Sequence, residues 1–227
     1  MTRSAKPAEC LATAFGVLMC CCGERVASAP GFETCADLPE EATSGIRPAA
    51  PGECEEIAVD LLRLVDETHG VPFDCVPADL VELSQATRRG VLLRREAAAS
   101  FEPMAAAADD AGLRIEANDG FRSVQEQCAV FAKKAREGIA APPGFSEHHL
   151  GLAVDIDDAP KRWLDDHAHE FGFVESYPAG AESCTGYPAE PWHWRYVGPA
   201  AAEIRRRGLI AHEYLSGRSC RGTPLEP

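Results

Sequence analysis

Two short segments late in the chain restrict its fold more than anything else in it: residues 150–156 (LGLAVDI) and 191–197 (PWHWRYV). Both alternate as half-buried strands do, because successive side chains leave a strand on opposite faces. In the first, Leu152, Val154 and Ile156 share one face, and Gly151, Ala153 and Asp155 share the other. In the second, Trp192, Trp194 and Tyr196 share a face suited to a core, and His193, Arg195 and Val197 share its opposite. Each strand therefore pairs an apolar face with a face carrying one potential metal ligand. The neighbours of Asp155 on its face are minimal side chains, which leaves room there, and a buried carboxylate is costly without a counter-charge.

His148 stands seven residues before Asp155. His148, Asp155 and His193 together offer two imidazoles and one carboxylate oxygen, a set suited to catalytic zinc with a fourth position left for water. Such an ion would neutralise Asp155. Glu190 lies three residues before His193 and outside the strand, beyond Pro191. It is placed to take a proton from water whose pKa zinc lowers to about 7. The other histidines read differently. The choice of His148 over the adjacent His149 rests on the family pattern given below, which leaves His149 as a supporting or exposed neighbour. His167 and His169 share a polar helix with Asp165 and Asp166 and read as solvated. His69 and His212 fall near expected helix ends, where an imidazole can satisfy terminal carbonyls.

The rest of the chain mixes helix and strand without βαβ alternation. Ile57, Leu61, Leu64 and Val65 predict a helix ending before Gly70. Pro72 and Pro77 keep the next stretch extended. Residues 92–112 predict an Ala-rich helix that Pro103 kinks or divides. Residues 113–117 alternate as a strand. Ser123 and Glu126 form a capping box that opens a helix closed by Gly138. Residues 160–172 read as a helix, 173–176 as a short strand and 199–215 as a helical tail. This order implies an α+β domain, a small, largely antiparallel sheet flanked by helices. The 227 residues are 45% hydrophobic, enough for one real core. The formal charge of −14 speaks against nucleic acid or anionic lipid as partners.

Arg3 and Lys6 precede an apolar run at residues 10–22, and Ala27-Ser28-Ala29 offers a small-residue cleavage site. That is the layout of a secretory signal peptide over residues 1–29. Lipoprotein anchoring at Cys20, Cys21 or Cys22 ranks second, because Val17, Leu18 and Met19 are not the small residues such a site uses. Export leaves six cysteines, Cys35, Cys54, Cys75, Cys128, Cys184 and Cys220, an even number expected to form disulfides whose pairing the spacing leaves open. Residues 30–52, rich in Pro, Gly, Ala and acid, read as a linker or an arm draped on the surface and tacked down by Cys35. The folded domain is expected over 53–220, followed by a tail at 221–227.

Taken in order, GFRSVQEQ (120–127), SEHHLGLAVDI (146–156) and EPWHWRYV (190–197) resemble the VanY-type D-alanyl-D-alanine carboxypeptidases, zinc peptidases of the hedgehog/DD-peptidase fold. The family pattern is approximately S-x-H-x-x-G-x-A-x-D followed by E-x-W-H. Ser146, His148, Gly151, Ala153 and Asp155 match the first part, and Glu190, Trp192 and His193 the second. The resemblance covers residues 77–215. It implies zinc held by His148, Asp155 and His193, Glu190 as catalytic base, and Arg122 steadying the oxyanion or holding substrate. Ser146 and Gln127 match positions near the substrate pocket. The implied partner is a peptidoglycan stem peptide ending in D-Ala-D-Ala, with no nucleic acid and no stable protein partner. Asp119-Gly120-Phe121 departs from the Ser-Gly-Tyr frequent in the family, and the cysteines are more numerous than it usually has. Alternatives are a D,D-dipeptidase or an L-Ala-D-Glu endopeptidase on the same scaffold, a non-catalytic wall-binding zinc module, or a disulfide-held interaction protein.

Overall fold

The two alternating segments form the inner strands of a four-stranded antiparallel sheet. The computed structural model describes residues 35–226 except 39, 44, 85–89, 135–139, 157 and 159. The stretch read as a signal peptide lies outside them. Along the chain run the helices α1 (Glu40–Thr43) and α2 (Glu53–Val59), the hairpin strands β1 (Leu80–Glu82) and β2 (Leu92–Arg94), and the long helix α3 (Arg95–Asp110). After these come β3 (Ala117–Asp119), α4 (Val124–Lys134), a 3-10 turn (Glu147–Leu150), β4 (Ala153–Ile156) and α5 (Lys161–His167). The chain then forms β5 (Phe173–Glu175), α6 (Glu182–Thr185), β6 (His193–Tyr196), α7 (Ala200–Arg207) and α8 (Ala211–Ser216). The main sheet has the order β3-β4-β6-β5, with antiparallel neighbours throughout. Small antiparallel sheets flanked by helices are the α+β arrangement that the mixed pattern implies.

One face of the main sheet is the core. Val154, Ile156, Phe173, Trp194 and Tyr196 pack there with Phe101, Met104 and the alanines of α3. Ala97, Ala98, Phe101, Met104, Ala105 and Ala108 recur at helical spacing and are all buried, so small side chains let α3 lie close to the sheet. Phe101 meets Phe173 edge-on, with centroids 6.1 Å apart. Burying one such ring stabilises the fold by roughly 1.5–3 kcal/mol.

Several elements differ from the sequence expectation. The helix expected from residue 92 begins at Arg95, because Leu92–Arg94 pairs with Leu80–Glu82 and buries Leu93 fully. Pro103 lies inside α3 without ending it. The strand expected at 113–117 is displaced to Ala117–Asp119, where β4 supplies a partner for it. The helix expected to run to Val65 stops at Val59, and the carbonyls of Leu61 and Arg63 instead accept hydrogen bonds from the buried Arg195. The tail divides into α7 and α8 at Gly208, which adopts the left-handed conformation. The helix end expected at Gly138 lies outside the described residues. His69 and His212 both bind the Asp66 carboxylate, at 2.9 and 3.4 Å, instead of capping helices.

The six cysteines form three disulfides: Cys35–Cys128, Cys54–Cys75 and Cys184–Cys220. Cys54, Asp74 and Cys75 bring donor atoms together, but both sulfurs are spent in a disulfide. The described part of the N-terminal arm is tied to α4 through Cys35, and Gly45 lies against Phe145 and the Pro143 carbonyl so closely that a Cβ would stand 2.4 Å from the ring. No described helix is long and apolar enough to cross a membrane.

Candidate active site

Register turns the two ligand-bearing faces into one site. Asp155 lies directly opposite His193 across β4 and β6, so their side chains rise from the same face of the sheet. His148 comes from the 3-10 turn before β4. Gly151 ends that turn with φ +64°, and a Cβ there would come within 2.9 Å of Leu80. Only glycine lets the chain turn there and bring His148 back over Asp155. His148 Nε2 is then 3.3 Å from Asp155 Oδ1, and His193 Nδ1 is 3.0 Å from the same oxygen. The two imidazoles meet edge to face at 4.8 Å.

The outer nitrogen of each ring is occupied. His148 Nδ1 lies 2.6 Å from the Gly120 carbonyl, and His193 Nε2 lies 3.1 Å from Glu147 Oε2. These contacts place the ring protons away from Asp155 and leave His148 Nε2 and His193 Nδ1 as donors toward a common point. One donor atom from each of the three residues lies within 4.8 Å of the others. Zinc–ligand bonds of about 2.0–2.1 Å in a tetrahedron put donor atoms about 3.3 Å apart. The separations of 3.0 and 3.3 Å from Asp155 Oδ1 fit that edge, and the set of two nitrogens and one oxygen fits the ion.

Glu190 stands at the edge of this cluster, with Oε2 3.7 Å from His193 Nδ1. Its backbone is fixed on both sides: its N–H donates to the Tyr177 carbonyl, and its carbonyl accepts from the His193 N–H. Burial pushes its carboxyl above the usual range, and the charge of Asp155 adds to that against the pull of His193. A raised carboxylate pKa suits a proton carrier working near neutral pH.

Arg122 faces the same cleft. Its guanidinium donates to Asp119 at 2.6 Å and to Gln127 Oε1 at 2.5 Å. Gln127 is buried, and its amide nitrogen donates to the Ala141 carbonyl. Gln127 therefore lines the cleft while its amide holds Arg122 in place. Asp119, the departure from the family pattern, serves as the other anchor of Arg122. The charges of His148 and Arg122 outweigh its burial and keep its carboxyl below the usual range. Ser146 is buried on the cleft wall. Tyr177, Tyr187 and Trp192 line the cleft too. Trp192, read from parity as a core residue, is 38% exposed, because β6 begins only at His193 and the residue before it lies on the cleft wall instead of in the core.

His149 is buried, donates from Nδ1 to the Arg122 carbonyl at 2.7 Å and accepts at Nε2 from the Gly144 N–H. Burial lowers its imidazole to about 4, so it is a neutral clasp between two loops of the site. His167 is half exposed beside Glu170, whereas His169, read as solvated, has a buried Nδ1 with no partner among the described residues. Sequence reasoning missed Glu147, Ser176 and Arg195. Arg195 shares the ligand face by parity, yet it is fully buried and bonded to Glu147. Two signals were available: an arginine inside an otherwise apolar strand, and an acid beside a presumed ligand.

Three donors converging on one point, a buried carboxylate beside them and an anchored guanidinium across the cleft are the parts of a metal-assisted hydrolase site, and the family to which the chain is matched makes it a peptidase. The family model for VanY, D-alanyl-D-alanine carboxypeptidase, matches residues 90–199. YodJ of Bacillus subtilis (strain 168) is 34% identical over 69% of this chain and 67% of its own length. A D-alanyl-D-alanine carboxypeptidase of Enterococcus faecium is 29% identical over 71% of this chain, and the match spans only 59% of that relative. Among solved structures, the LdcB LD-carboxypeptidase is similar with a TM-score of 0.63 and 32% identity, over 69% of this chain and 86% of that one. The vancomycin-resistance D,D-pentapeptidase VanY, solved with Zn(II), is similar with a TM-score of 0.61 and 32% identity, over 68% and 98%. D,D-dipeptidases match on the same scaffold. This chain belongs to the VanY-type D-alanyl-D-alanine carboxypeptidase family.

Proposed function

We propose that the protein is a zinc-dependent D,D-carboxypeptidase that hydrolyses the terminal amide of a peptidoglycan stem peptide and releases D-alanine. The observation behind this reading is the convergence of His148 Nε2, Asp155 Oδ1 and His193 Nδ1 beside Glu190 and Arg122. Zinc, when bound, supplies Lewis-acid polarisation of the scissile carbonyl and a water acidic enough to ionise near neutral pH. Glu190 takes the proton of the attacking water and delivers it to the departing amine. Its raised pKa moves it toward the range that a proton carrier needs. Arg122, held at two points by Asp119 and Gln127, presents a fixed positive charge to the oxyanion or to the peptide's terminal carboxylate. Tyr177, Tyr187 and Trp192 shape an apolar wall, and Ser146 offers a hydroxyl. In this reading residues 1–29 direct export, which brings the enzyme to its substrate outside the cytoplasmic membrane.

A second reading, an L,D-carboxypeptidase, has the likeness to LdcB behind it. One assay separates the readings. Purified protein is incubated with synthetic pentapeptide and tetrapeptide stems, with and without a chelator. D-alanine from the pentapeptide alone supports the D,D-carboxypeptidase, and D-alanine from the tetrapeptide alone supports the L,D reading. Hydrolysis of the free dipeptide D-Ala-D-Ala, supplied as a third substrate, to two D-alanines identifies a dipeptidase, and retained zinc without product identifies a binding module. Glu190→Gln should keep its zinc and lose about 10²- to 10⁴-fold in turnover. Activity within threefold of the parent removes Glu190 from the role of base.

A further inference from the structure

Behind His193, on the side away from the cleft, lies a closed polar network that the proposed chemistry does not use. Glu147 is 4% exposed, Ser176 2% and Arg195 0%. Glu147 Oε2 accepts from Ser176 Oγ at 2.6 Å and from His193 Nε2 at 3.1 Å. Its other oxygen accepts from Arg195 Nη1 at 3.2 Å. Arg195 is itself held by the carbonyls of Leu61, Arg63 and Tyr196. A buried acid and a buried guanidinium are costly unless each is fully paired, and here each is. Neutralising Arg195 alone would not require Glu147 to reach His193 as well.

We infer that Glu147 is a positioning residue for the metal site. It fixes the His193 proton on Nε2 and turns the Nδ1 lone pair toward the ion, while Arg195 and Ser176 hold the carboxylate in place. Gly120 does the corresponding work for His148 with a neutral carbonyl, so the two imidazoles present different nitrogens. The anionic acceptor behind His193 makes that ring the stronger donor of the two, since a carboxylate on the far N–H raises ligand basicity. This inference rests on the metal-site reading above.

The test is the zinc dissociation constant, measured by competition with a chromophoric chelator on wild type and on Glu147→Gln. The amide keeps the volume of the acid and can still accept from the ring, but it lacks the charge. Zinc affinity is expected to fall about 10- to 100-fold. The visible bands of the cobalt(II)-loaded variant are expected to shift. A folded variant, with unchanged near-ultraviolet dichroism, that binds zinc within twofold of wild type overturns the inference. A measurement on the wild type stands independently of how the variant folds. In 15N-histidine-labelled, zinc-loaded protein, His193 is expected to carry its proton on Nε2 and His148 on Nδ1, and a His193 proton on Nδ1 overturns the inference. Wild type that binds no zinc at all sinks the metal site and this role together, whereas equal binding by wild type and variant sinks only the role of Glu147.

Discussion

Replacing Cys35 and Cys128 together by serine tests how the N-terminal arm supports the cleft. The bridge closes a sequence separation of 93 residues, which in the chain-entropy account corresponds to about 4.6 kcal/mol. The Cys54–Cys75 bridge lies within that loop and shortcuts 21 of its residues, which lowers the figure to about 4.4 kcal/mol. A domain is typically stable by about 5–15 kcal/mol, so the loss is a large share of the total. With a urea slope of about 2 kcal/mol/M, the unfolding midpoint should fall by about 2 M. Removing Cys54–Cys75 alone should cost less, about 3.3 kcal/mol, because its loop is shorter. The functional consequence follows from place: Cys128 adjoins Gln127, which anchors Arg122, and the arm packs on Phe145 next to Ser146. Below the unfolding transition, the double serine variant should therefore show a raised KM for the stem peptide and a smaller change in kcat. The measurements are equilibrium urea unfolding by circular dichroism and steady-state D-alanine release. A loss of stability under 1 kcal/mol, or one smaller than that of the Cys54–Cys75 variant, refutes the argument from loop closure.

Other outcomes follow from single groups. Burial alone would raise the Asp66 carboxyl, but hydrogen bonds from the Thr68 N–H, the His69 imidazole, the Thr68 hydroxyl and the His69 N–H outweigh it and lower the carboxyl from 3.8 to about 2. A depressed folded pKa means stability present above about pH 4 and lost as pH falls through 2. Asp66→Asn should remove about 2 kcal/mol of that acid-sensitive stability, seen as a smaller drop in Tm between pH 5 and pH 2.5 than wild type shows. Gly120→Ala would place a Cβ 2.3 Å from the Leu92 carbonyl. It should destabilise the fold by about 1–3 kcal/mol in urea melts and weaken zinc binding, because the backbone that orients His148 must shift. Phe101→Ala, in the fully buried center of the core, should cost about 3–5 kcal/mol with unchanged zinc affinity in the folded fraction.

Two of the three candidate ligands, Asp155 and His193, were legible from strand parity, which is local, whereas His148 was singled out by its match to the family motif. Alternation alone puts Asp155 and His193 on the non-core faces of their strands, whereas Gly151, read as a strand residue, ends the 3-10 turn and β4 begins only at Ala153. Helix boundaries were less legible. Leu92–Arg94 has helical composition and becomes strand because Leu80–Glu82 pairs with it, and residues beyond Val59 leave helix for a conformation whose carbonyls meet Arg195. Both outcomes were set by partners distant in the chain.

What the sequence determined by itself is therefore the kinds of groups and their faces: two imidazoles, two acids, one arginine in a motif order, and six cysteines available to pair. Tertiary structure alone decided the register that sets Asp155 opposite His193, the pairing of the cysteines, and the burial of Glu147 with Arg195 behind the site. The physical reason is range. Side-chain direction repeats every two residues along a strand, whereas register, disulfide partners and buried ion pairs depend on which remote segments the core brings together.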